Sequence, residues 1–306
     1  MNASTFETPI LFLMFNRPNH SEKVFNRIKE IKPKYLFIAI DGPRQSNPTD
    51  EEKISQCLKL IERIDWHCEV ELLKRSTNLG CGAAVSSAIT WFFNHVEFGI
   101  ILEDDCLPDL SFFNYCKELL ERYKHNNSVM HIGGVNFQNG IQHGKGSYYF
   151  TKICHIWGWA TWRRAWKNYD FEMQCFPEFK AQSQIQNVIS IKKSQTYWLK
   201  AFEDTYQKKI DTWDYQWVYT IWRHSGICIL PNVNLVKNIG FDMEATHTKS
   251  KSEEYTNVRV DSIQEILHPK FIIENKKATN FSLKKHFVSK NYLERKLERV
   301  KVLLQK

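Results

Sequence analysis

The segment Phe98-Gly-Ile-Ile-Leu-Glu-Asp-Asp105 joins a short apolar run to three consecutive carboxylates. Its first residues have the length and composition of a buried β-strand. Open α/β sheets bind their ligands at the carboxyl ends of the strands, so acids in this position indicate a binding edge. Mg²⁺ and Mn²⁺ are typically held there by one or two carboxylates and completed by phosphate oxygens of a substrate. An acidic strand-to-loop junction without a metal is the alternative interpretation.

Apolar runs of strand length alternate with longer segments of helical pattern through the first 135 residues. The apolar runs are Ile10–Phe15, Tyr35–Ile40, Val70–Leu73, Gly99–Leu102 and Val129–Ile132. The helical patterns cover residues 19–31, 49–64, 82–95 and 110–125. This alternation predicts an α/β fold with a Rossmann-like, mainly parallel and doubly wound sheet.

The other predicted strand ends also carry polar and charged residues, namely Arg17, Asp41, Arg75 and Asn78. Arg17 supplies a permanent cation with a planar fork of donors. Asp41 could accept hydrogen bonds from a base N–H group or a ribose hydroxyl. Each residue by itself is typical of a surface ion pair. Because the carboxyl ends of parallel strands share one edge, together they predict a pocket for a base, a ribose and a metal-bound diphosphate.

Two loops narrow the class of nucleotide enzyme. Asn78-Leu-Gly-Cys-Gly-Ala-Ala84 leads from the third strand into a helix and could present backbone N–H groups to an anion. It does not match the G-x-x-x-x-G-K-[ST] loop, and no G-x-G-x-x-G follows the first strand, so ATPases and Rossmann dehydrogenases are disfavoured. Sugar-nucleotide pyrophosphorylases would need a glycine-rich loop after the first strand, where Asn16-Arg-Pro-Asn-His20 has no glycine.

Tryptophan is concentrated in the second half of the chain, where eight of the ten residues lie between Trp157 and Trp222. Aromatic density of this kind is typical of core packing. The alternative is that Trp159, Trp213 and Trp217 form the wall of a sugar site, because sugar rings stack their C–H faces on aromatic rings.

Two ionisable residues of the second half are candidates for chemistry. Asp214 lies among aromatic residues in Thr212-Trp-Asp-Tyr-Gln-Trp217, and partial desolvation there would make it a better general base. A helix cap is the alternative role for Asp214. His247 follows a predicted strand and turn and could be a further ligand of the metal or diphosphate, or a solvated loop histidine.

Length and composition indicate a globular protein of one large domain or two joined halves, with 306 residues of which 42% are hydrophobic. No apolar run reaches the roughly 20 residues that span a bilayer, and the N-terminus lacks the pattern of a signal peptide, so we expect a cytoplasmic protein. Eight cysteines occur without a C-x-x-C pair, which argues against a zinc module and favours reduced thiols.

The net charge of +8 resides in the C-terminal segment, where residues 276–306 contain ten Lys or Arg and two Asp or Glu. A neutral body with one basic appendage favours an anionic surface as its partner over a nucleic acid. Within this tail Leu293, Leu297, Val300 and Leu304 recur at helical spacing. Such a helix could lie on an anionic membrane, or pack on the domain or on a second subunit.

The order of these motifs resembles that of GT-A fold, metal-dependent glycosyltransferases, and is similar to the family of alpha-1,3-mannosyl-glycoprotein beta-1,2-N-acetylglucosaminyltransferases. The resemblance runs from about residue 9 to residue 247 and covers the following matches: Arg17, Asp41 in Ile38-Ala-Ile-Asp-Gly42, Leu102-Glu-Asp-Asp105, Gly158-Trp159, and Trp213-Asp214 followed by Trp217. The chain departs from that family in lacking a membrane anchor and stem, and in having Tyr215 in place of a second acid. A bacterial transferase of surface polysaccharide synthesis fits these departures better.

The resemblance implies a role for each matched residue. Arg17 and Asp41 would hold the uridine, and Glu103 and Asp104 would border the nucleotide and ribose. Asp105 would bind the metal, and Asp214 would be the catalytic base. Together with the change of sequence pattern at about residue 136 and the charge of the C-terminal segment, the expected architecture is a nucleotide-sugar-binding half at 1–135, an acceptor and catalytic half of the same GT-A domain at 136–250, and a basic helical tail at 251–306.

The expected function is therefore inverting transfer of a sugar from a nucleotide-diphosphate sugar, most plausibly a UDP-sugar, to a glycan hydroxyl with Mn²⁺ or Mg²⁺. The acceptor could be a lipid-linked glycan met at the inner face of the cell membrane. Two alternatives stay open. One is a nucleotidyltransferase of the pyrophosphorylase type, and the other is a catalytically silent protein that binds a glycan or a nucleotide sugar.

Overall fold

Strands and helices alternate along the chain in this computed structural model, which describes residues 5–241 and 258–289. The strands are β1 Ile10–Met14, β2 Tyr35–Ile40, β3 Glu69–Lys74, β4 Phe98–Glu103, β5 Cys106–Pro108, β6 Val129–Gly133, β7 Tyr148–Thr151, β8 Trp159–Trp162, β9 Ile227–Pro231 and β10 Val236–Asn238. The α-helices are α1 Pro18–Ile31, α2 Asp50–Leu58, α3 Gly80–His95, α4 Leu110–Arg122, α5 Arg163–Trp166, α6 Phe176–Ala181, α7 Ile185–Val188, α8 Lys192–Tyr206, α9 Asp214–Arg223 and α10 Lys276–His286.

Eight of these strands form one mixed sheet in the order β3-β2-β1-β4-β8-β6-β9-β7. Strands β3, β2, β1 and β4 are mutually parallel, with Ile10 of β1 opposite both Leu36 and Ile100. β8 inserts antiparallel between β4 and β6, and β7 runs antiparallel to β9 at the far edge. The α/β, Rossmann-like and mainly parallel sheet predicted from the sequence is confirmed.

Both faces of the sheet are covered, which explains why its central strands are apolar without interruption. Successive residues of β1 point to opposite faces, so Phe12 joins a core with α1, α2 and α4, while Leu13 joins a core with α3, α8 and α9. Every residue of β1 is buried. The predicted doubly wound arrangement is therefore also confirmed.

A two-stranded sheet of β5 and β10 lies beyond the end of β4; the sequence analysis missed β5 and expected a strand before His247 without giving its bounds. Asn238 pairs with Cys106, directly after the three acids. Each strand has only three residues, too few to show a strand periodicity. Their pairing matters because it places residues 238–241 next to the predicted site.

The first part of the predicted basic tail packs on the body. Ala278 and Leu283 of α10 are fully buried in the core, and the Gln138 side chain donates to the Ser282 hydroxyl at 2.7 Å. The predicted amphipathic segment around 292–304 and the candidate ligand His247 lie outside the described residues. Within the described residues no helix is both long enough and apolar enough to cross a membrane.

Candidate active site

The carboxyl ends of β1, β2, β3 and β4 meet along one edge of the sheet, because these strands are parallel neighbours. Backbone hydrogen bonds join neighbouring strand ends: the Asp41 N–H donates to the Met14 carbonyl, and the Arg75 N–H donates to the Ile40 carbonyl at 3.1 Å. The structure thus brings the predicted residues of all four strand ends to the same edge. Arg75 is more peripheral, since its guanidinium donates to the Ser87 hydroxyl on the surface of α3.

Arg17 holds two acids of the triplet. Its Nη1 lies 2.9 Å from Oδ2 of Asp105 and 3.7 Å from Oδ1 of Asp104. Asp104 is buried and also accepts a 3.3 Å hydrogen bond from the Phe15 backbone N–H. The loop after β1 and the end of β4 are therefore joined by one guanidinium shared between two carboxylates.

Among the described residues, the acid triplet carries more negative charge than its neighbours neutralise. Burial raises the pKa of Asp104 to about 6 although Arg17 opposes the shift. Burial, followed by the charges of Asp105, Asp104 and Asp214, raises the pKa of Glu103 well above its usual value. Burial by itself would lower the pKa of Arg17, but the neighbouring Asp104 and Asp105 raise it. Such a cluster favours uptake of a proton or of a cation.

Asp41 is engaged by the loop that follows β3. Its carboxylate accepts hydrogen bonds from the Gly42 N–H at 2.9 Å, the Leu79 N–H at 3.1 Å and the Asn78 side-chain amide at 2.8 Å. Burial raises the pKa of Asp41, and these backbone hydrogen bonds act against the rise. Asp41 therefore fixes the position of the 78–80 loop at the edge of the sheet.

Asp211 caps the start of α3, and the sequence analysis missed it. Its carboxylate oxygens accept from the backbone N–H groups of Cys81 and Gly82, each at 2.9 Å. A Cβ on Gly82 would lie 2.7 Å from both the Asp211 carboxylate and the Thr212 carbonyl, so only glycine fits there. The N–H groups expected to face a ligand anion are instead occupied by a carboxylate of this chain.

Asp214 begins helix α9 three residues after this cap. Its Oδ1 accepts from the Thr212 hydroxyl and from the Tyr215 backbone N–H, the latter at 2.9 Å. This is the geometry of a residue at a helix start, which was the alternative to the role of base. Asp214 is only partly buried, and its charge acts on the pKa of Glu103, so it lies near the acid triplet. The Asp211 cap thus connects the segment that carries Asp214 to the start of α3, at the edge where the parallel strands end.

The three tryptophans expected as a sugar wall are core residues in this structure. Trp159, Trp213 and Trp217 expose 0%, 1% and 0% of their surface. Trp159 stacks on Trp213 with ring centroids 5.5 Å apart, and Trp217 packs against Trp159 at 5.8 Å. A sugar cannot stack on a ring that has no open face, so these rings correspond to the core-packing interpretation.

Residues 238–241 cover the acid triplet from one side, which the sequence analysis did not foresee. The Ile239 N–H donates to the Asp105 carbonyl at 2.8 Å, and the ring of His20 lies 3.0 Å from the Ile239 carbonyl through Nε2. A Cβ on Gly240 would lie 2.9 Å from Cβ of Asp105 and 3.0 Å from Nη1 of Arg17. Gly240 is thus a close-approach glycine, and an isolated glycine in sequence gives no sign of that contact.

A second acid at the same edge has a complete set of partners. Asp50 is fully buried and accepts from Nε of Arg44 at 2.7 Å, from Nη2 of Arg44 at 2.9 Å and from the Asn16 side chain at 2.7 Å. Hydrogen bonds from Arg44 hold its pKa at about 2 despite burial. Through Asn16, Asp50 joins the loop after β1 to the loop after β2 that carries Arg44, and this cluster is a structural anchor of the edge.

The acid triplet suits a metal only in combination with a substrate. Among residues 5–241 and 258–289, no three His, Cys, Asp or Glu side chains converge as a metal cage. One or two carboxylates completed by phosphate oxygens and water are, however, a usual set for Mg²⁺, and Asp105 with its neighbours provides such oxygens. The residues present therefore fit a metal that arrives with a diphosphate.

A separate cavity of about 710 Å³ lies on another part of the surface and contains none of the acid triplet. Its lining includes the charged side chains Lys145, Arg259, Asp261 and Glu265, together with the apolar residues Phe137, Val233, Ile263 and Leu267. The cavity has the size of a small-molecule site and a balanced charge.

No protein-family model and no curated protein matches the sequence. A solved cytidylyltransferase from Leptospira borgpetersenii is similar at 11% identity and a TM-score of 0.33, over 54% of this chain and 64% of that one. The bifunctional glycosyltransferase WbbM is similar at 8% identity and a TM-score of 0.34, over 72% of this chain and 38% of that one. A UDP-glucose pyrophosphorylase is similar at 10% identity and a TM-score of 0.27, over 52% of this chain and 70% of that one. Likenesses this distant do not bear on function, which rests on the site residues.

Proposed function

We propose that this protein is a metal-dependent, inverting glycosyltransferase that moves a sugar from a nucleotide-diphosphate sugar, preferably a UDP-sugar, to a glycan hydroxyl. The observation that carries the proposal is the under-neutralised acid triplet at the carboxyl end of β4, with Asp214 from the second half of the chain near enough to act on the pKa of Glu103. Carboxylates at a strand end are suited to bind a metal together with a diphosphate, and a second carboxylate nearby is suited to act as a general base.

The donor would lie along the strand ends. Arg17 and Asp41 would hold the uridine, with Arg75 and Asn78 at its outer side and Glu103 and Asp104 bordering the ribose. Asp105 would hold the metal together with the diphosphate, while Arg17 keeps the Asp105 carboxylate oriented. When bound, Mn²⁺ or Mg²⁺ would offset the negative charge that develops on the departing diphosphate.

Asp214 would remove the proton of the acceptor hydroxyl. Both of its hydrogen bonds reach Oδ1, so Oδ2 is the oxygen that would receive the proton. The acceptor oxygen would attack the anomeric carbon from the face opposite the diphosphate, which inverts the configuration. A sugar hydroxyl is a weak nucleophile at neutral pH, so a positioned base contributes on the order of 10²–10⁴ to the rate.

We further propose that the acceptor is an extended, uncharged glycan, with its remote part in the 710 Å³ cavity and its reacting hydroxyl at Asp214. Lys145 and Arg259 are matched there by Asp261 and Glu265, a balance that does not favour an anionic ligand. An uncharged glycan of this kind occurs on the lipid-linked acceptors of bacterial surface polysaccharide synthesis. A cytoplasmic enzyme would meet such an acceptor at the inner face of the membrane.

Product analysis tests the proposal against both alternatives. The purified chain is incubated with Mn²⁺ and a panel of nucleotide sugars, with and without candidate glycans and with and without added pyrophosphate, and the products are separated. A glycosyltransferase releases nucleoside diphosphate, whereas a nucleotidyltransferase converts pyrophosphate and the nucleotide sugar to nucleoside triphosphate and sugar 1-phosphate. Thermal stabilisation by a nucleotide sugar without either reaction would indicate a silent binding protein, since a ligand at 100 times its Kd stabilises by about 2.7 kcal/mol.

A further inference from the structure

The segment from Leu267 to Ile273 exposes an unusual amount of apolar surface. Phe271 and Ile273 each expose 70% of their surface, Leu267 exposes 51% and Ile272 exposes 40%. Among the described residues no other exposed large apolar side chain exceeds 45%, and the others are scattered along the chain. Single exposed apolar residues are normal on a protein surface, but three consecutive ones indicate an interaction site.

The fold holds this segment in place at both ends. The Ser147 N–H donates to the Leu267 carbonyl at 2.7 Å, and the Asn275 N–H donates to the Phe150 carbonyl at 2.7 Å. Between them His268 lies 2.9 Å from the Tyr148 hydroxyl through its Nδ1. Because β7 anchors the chain on either side of Phe271–Ile273, their exposure follows from the fold.

Exposed lysines flank these apolar residues along the chain. From residue 267 to residue 289 the chain contains five lysines and one acid, Glu274. All five lysines are exposed: Lys270, Lys276, Lys277, Lys284 and Lys285. An apolar tip flanked by lysines is the pattern of segments that bind the interface of anionic bilayers, where the apolar side chains enter the headgroup region.

We propose that Phe271, Ile272 and Ile273, with Lys270, Lys276 and Lys277 beside them, form a docking surface for an anionic lipid membrane. A second copy of the chain fits this surface less well, because a two-fold contact would bring the same lysines against each other. An anionic lipid surface instead offsets their charge. The surface is distinct from the predicted amphipathic segment at 292–304 and does not depend on the proposed enzymatic activity.

The position of the docking surface has a consequence for the proposed acceptor. Leu267, at the start of the exposed segment, also lines the 710 Å³ cavity. Docking through Phe271 would bring that cavity to the membrane surface. This consequence rests on the proposed function, whereas the docking itself does not.

Vesicle binding by the full chain tests the proposal. Binding is measured by co-sedimentation with phosphatidylcholine vesicles that do or do not contain phosphatidylserine. We expect binding only with phosphatidylserine, and we expect Phe271→Ser with Ile273→Ser to reduce the partition coefficient at least about tenfold. Lys276→Gln with Lys277→Gln should reduce it by about fivefold per lysine, with a weaker dependence on salt than the parent shows.

Matched variants control for general effects of the substitutions. Leu72→Ser removes another exposed apolar side chain, and Lys208→Gln with Lys209→Gln removes an adjacent lysine pair elsewhere; neither change should affect binding. All the substituted residues are exposed, so the circular dichroism spectrum and thermal unfolding should stay as in the parent. A chain ending at Ser289 should keep its dependence on Phe271 and Ile273 and lose only the contribution of residues 290–306.

Three results would overturn the proposal. The full chain could fail to bind anionic vesicles, or the Phe271 and Ile273 variant could bind them as well as the parent does, which would assign binding to residues outside this surface. Sedimentation could also show a parent dimer that the same variant converts to a monomer, with vesicle binding unaffected, which would identify the surface as a self-association site.

Discussion

Two clusters of acid and arginine at the same edge of the sheet differ in how well their charges are matched. Asp50 receives three side-chain hydrogen bonds from Arg44 and Asn16, and its pKa is held at about 2. Asp104 and Asp105 instead share the guanidinium of Arg17, and burial raises the pKa of Asp104 to about 6. A satisfied cluster stabilises the loops, whereas an unsatisfied one is suited to a ligand.

Asp105→Ala is expected to have the largest effect on activity. It removes the proposed metal ligand from an under-neutralised cluster, so turnover of nucleotide sugar and metal-dependent nucleotide binding should fall below detection. Thermal unfolding should stay close to that of the parent, because no core residue is lost. Asp65→Ala, an exposed acid before β3, is the matched control. Full activity in EDTA would contradict the metal assignment.

Asp214→Asn should reduce the turnover rate by about 10²–10⁴ while donor affinity is nearly unchanged. The amide keeps the size of the side chain and can still accept from the Tyr215 N–H, but it cannot take up a proton. Donor affinity is measured by titration and turnover by release of nucleoside diphosphate. Asp204→Asn, on the neighbouring helix α8, controls for loss of an acid. Normal turnover by the Asp214 variant would leave that residue only its role at the start of α9.

Asp50→Ala should lower stability, in contrast to Asp105→Ala. Removing one partner of a buried pair commonly costs 3–5 kcal/mol, and we expect about 2–3 kcal/mol because Arg44 is 36% exposed. The stability that the pair contributes is present above the unfolded pKa of Asp50 and is lost as pH falls toward about 2. Urea unfolding measures the difference. A variant as stable as its parent would show that the matched cluster is not an anchor.

The smallest expected effect is a pH dependence of stabilisation by metal. The folded pKa of Asp104 is raised to about 6, so its protonated form favours folding and this contribution is lost as pH rises through that value. A divalent cation would replace the proton above this pH. Mn²⁺ with a nucleoside diphosphate should therefore raise the unfolding temperature more at about pH 7.5 than at about pH 5. Equal stabilisation at both values would show that the triplet does not exchange a proton for a metal.

The sequence determined strands β1 to β4 and β6 and the chemistry at the strand ends, because both depend on local patterns, whereas β7, β8 and β9 of the same sheet were not predicted. β2 at Tyr35–Ile40 was predicted with its observed bounds, and the acids at 103–105 fall where β4 ends. Uninterrupted apolar runs indicate strands that are buried on both faces of a sheet, and parallel strands bring their carboxyl ends to one edge. The positions of Arg17, Asp41 and the acid triplet at one edge therefore follow from the sequence.

Only the tertiary structure decided which distant groups contact these site residues. The cap that Asp211 provides joins residues 130 positions apart, and Gly240 approaches Asp105 across a pairing of three-residue strands. The sequence likewise marked Trp159 as aromatic but could not decide between wall and core, since exposure depends on which rings pack above it. Hydrogen bonds and ring contacts between distant segments follow from how the elements pack, and no local periodicity encodes that packing.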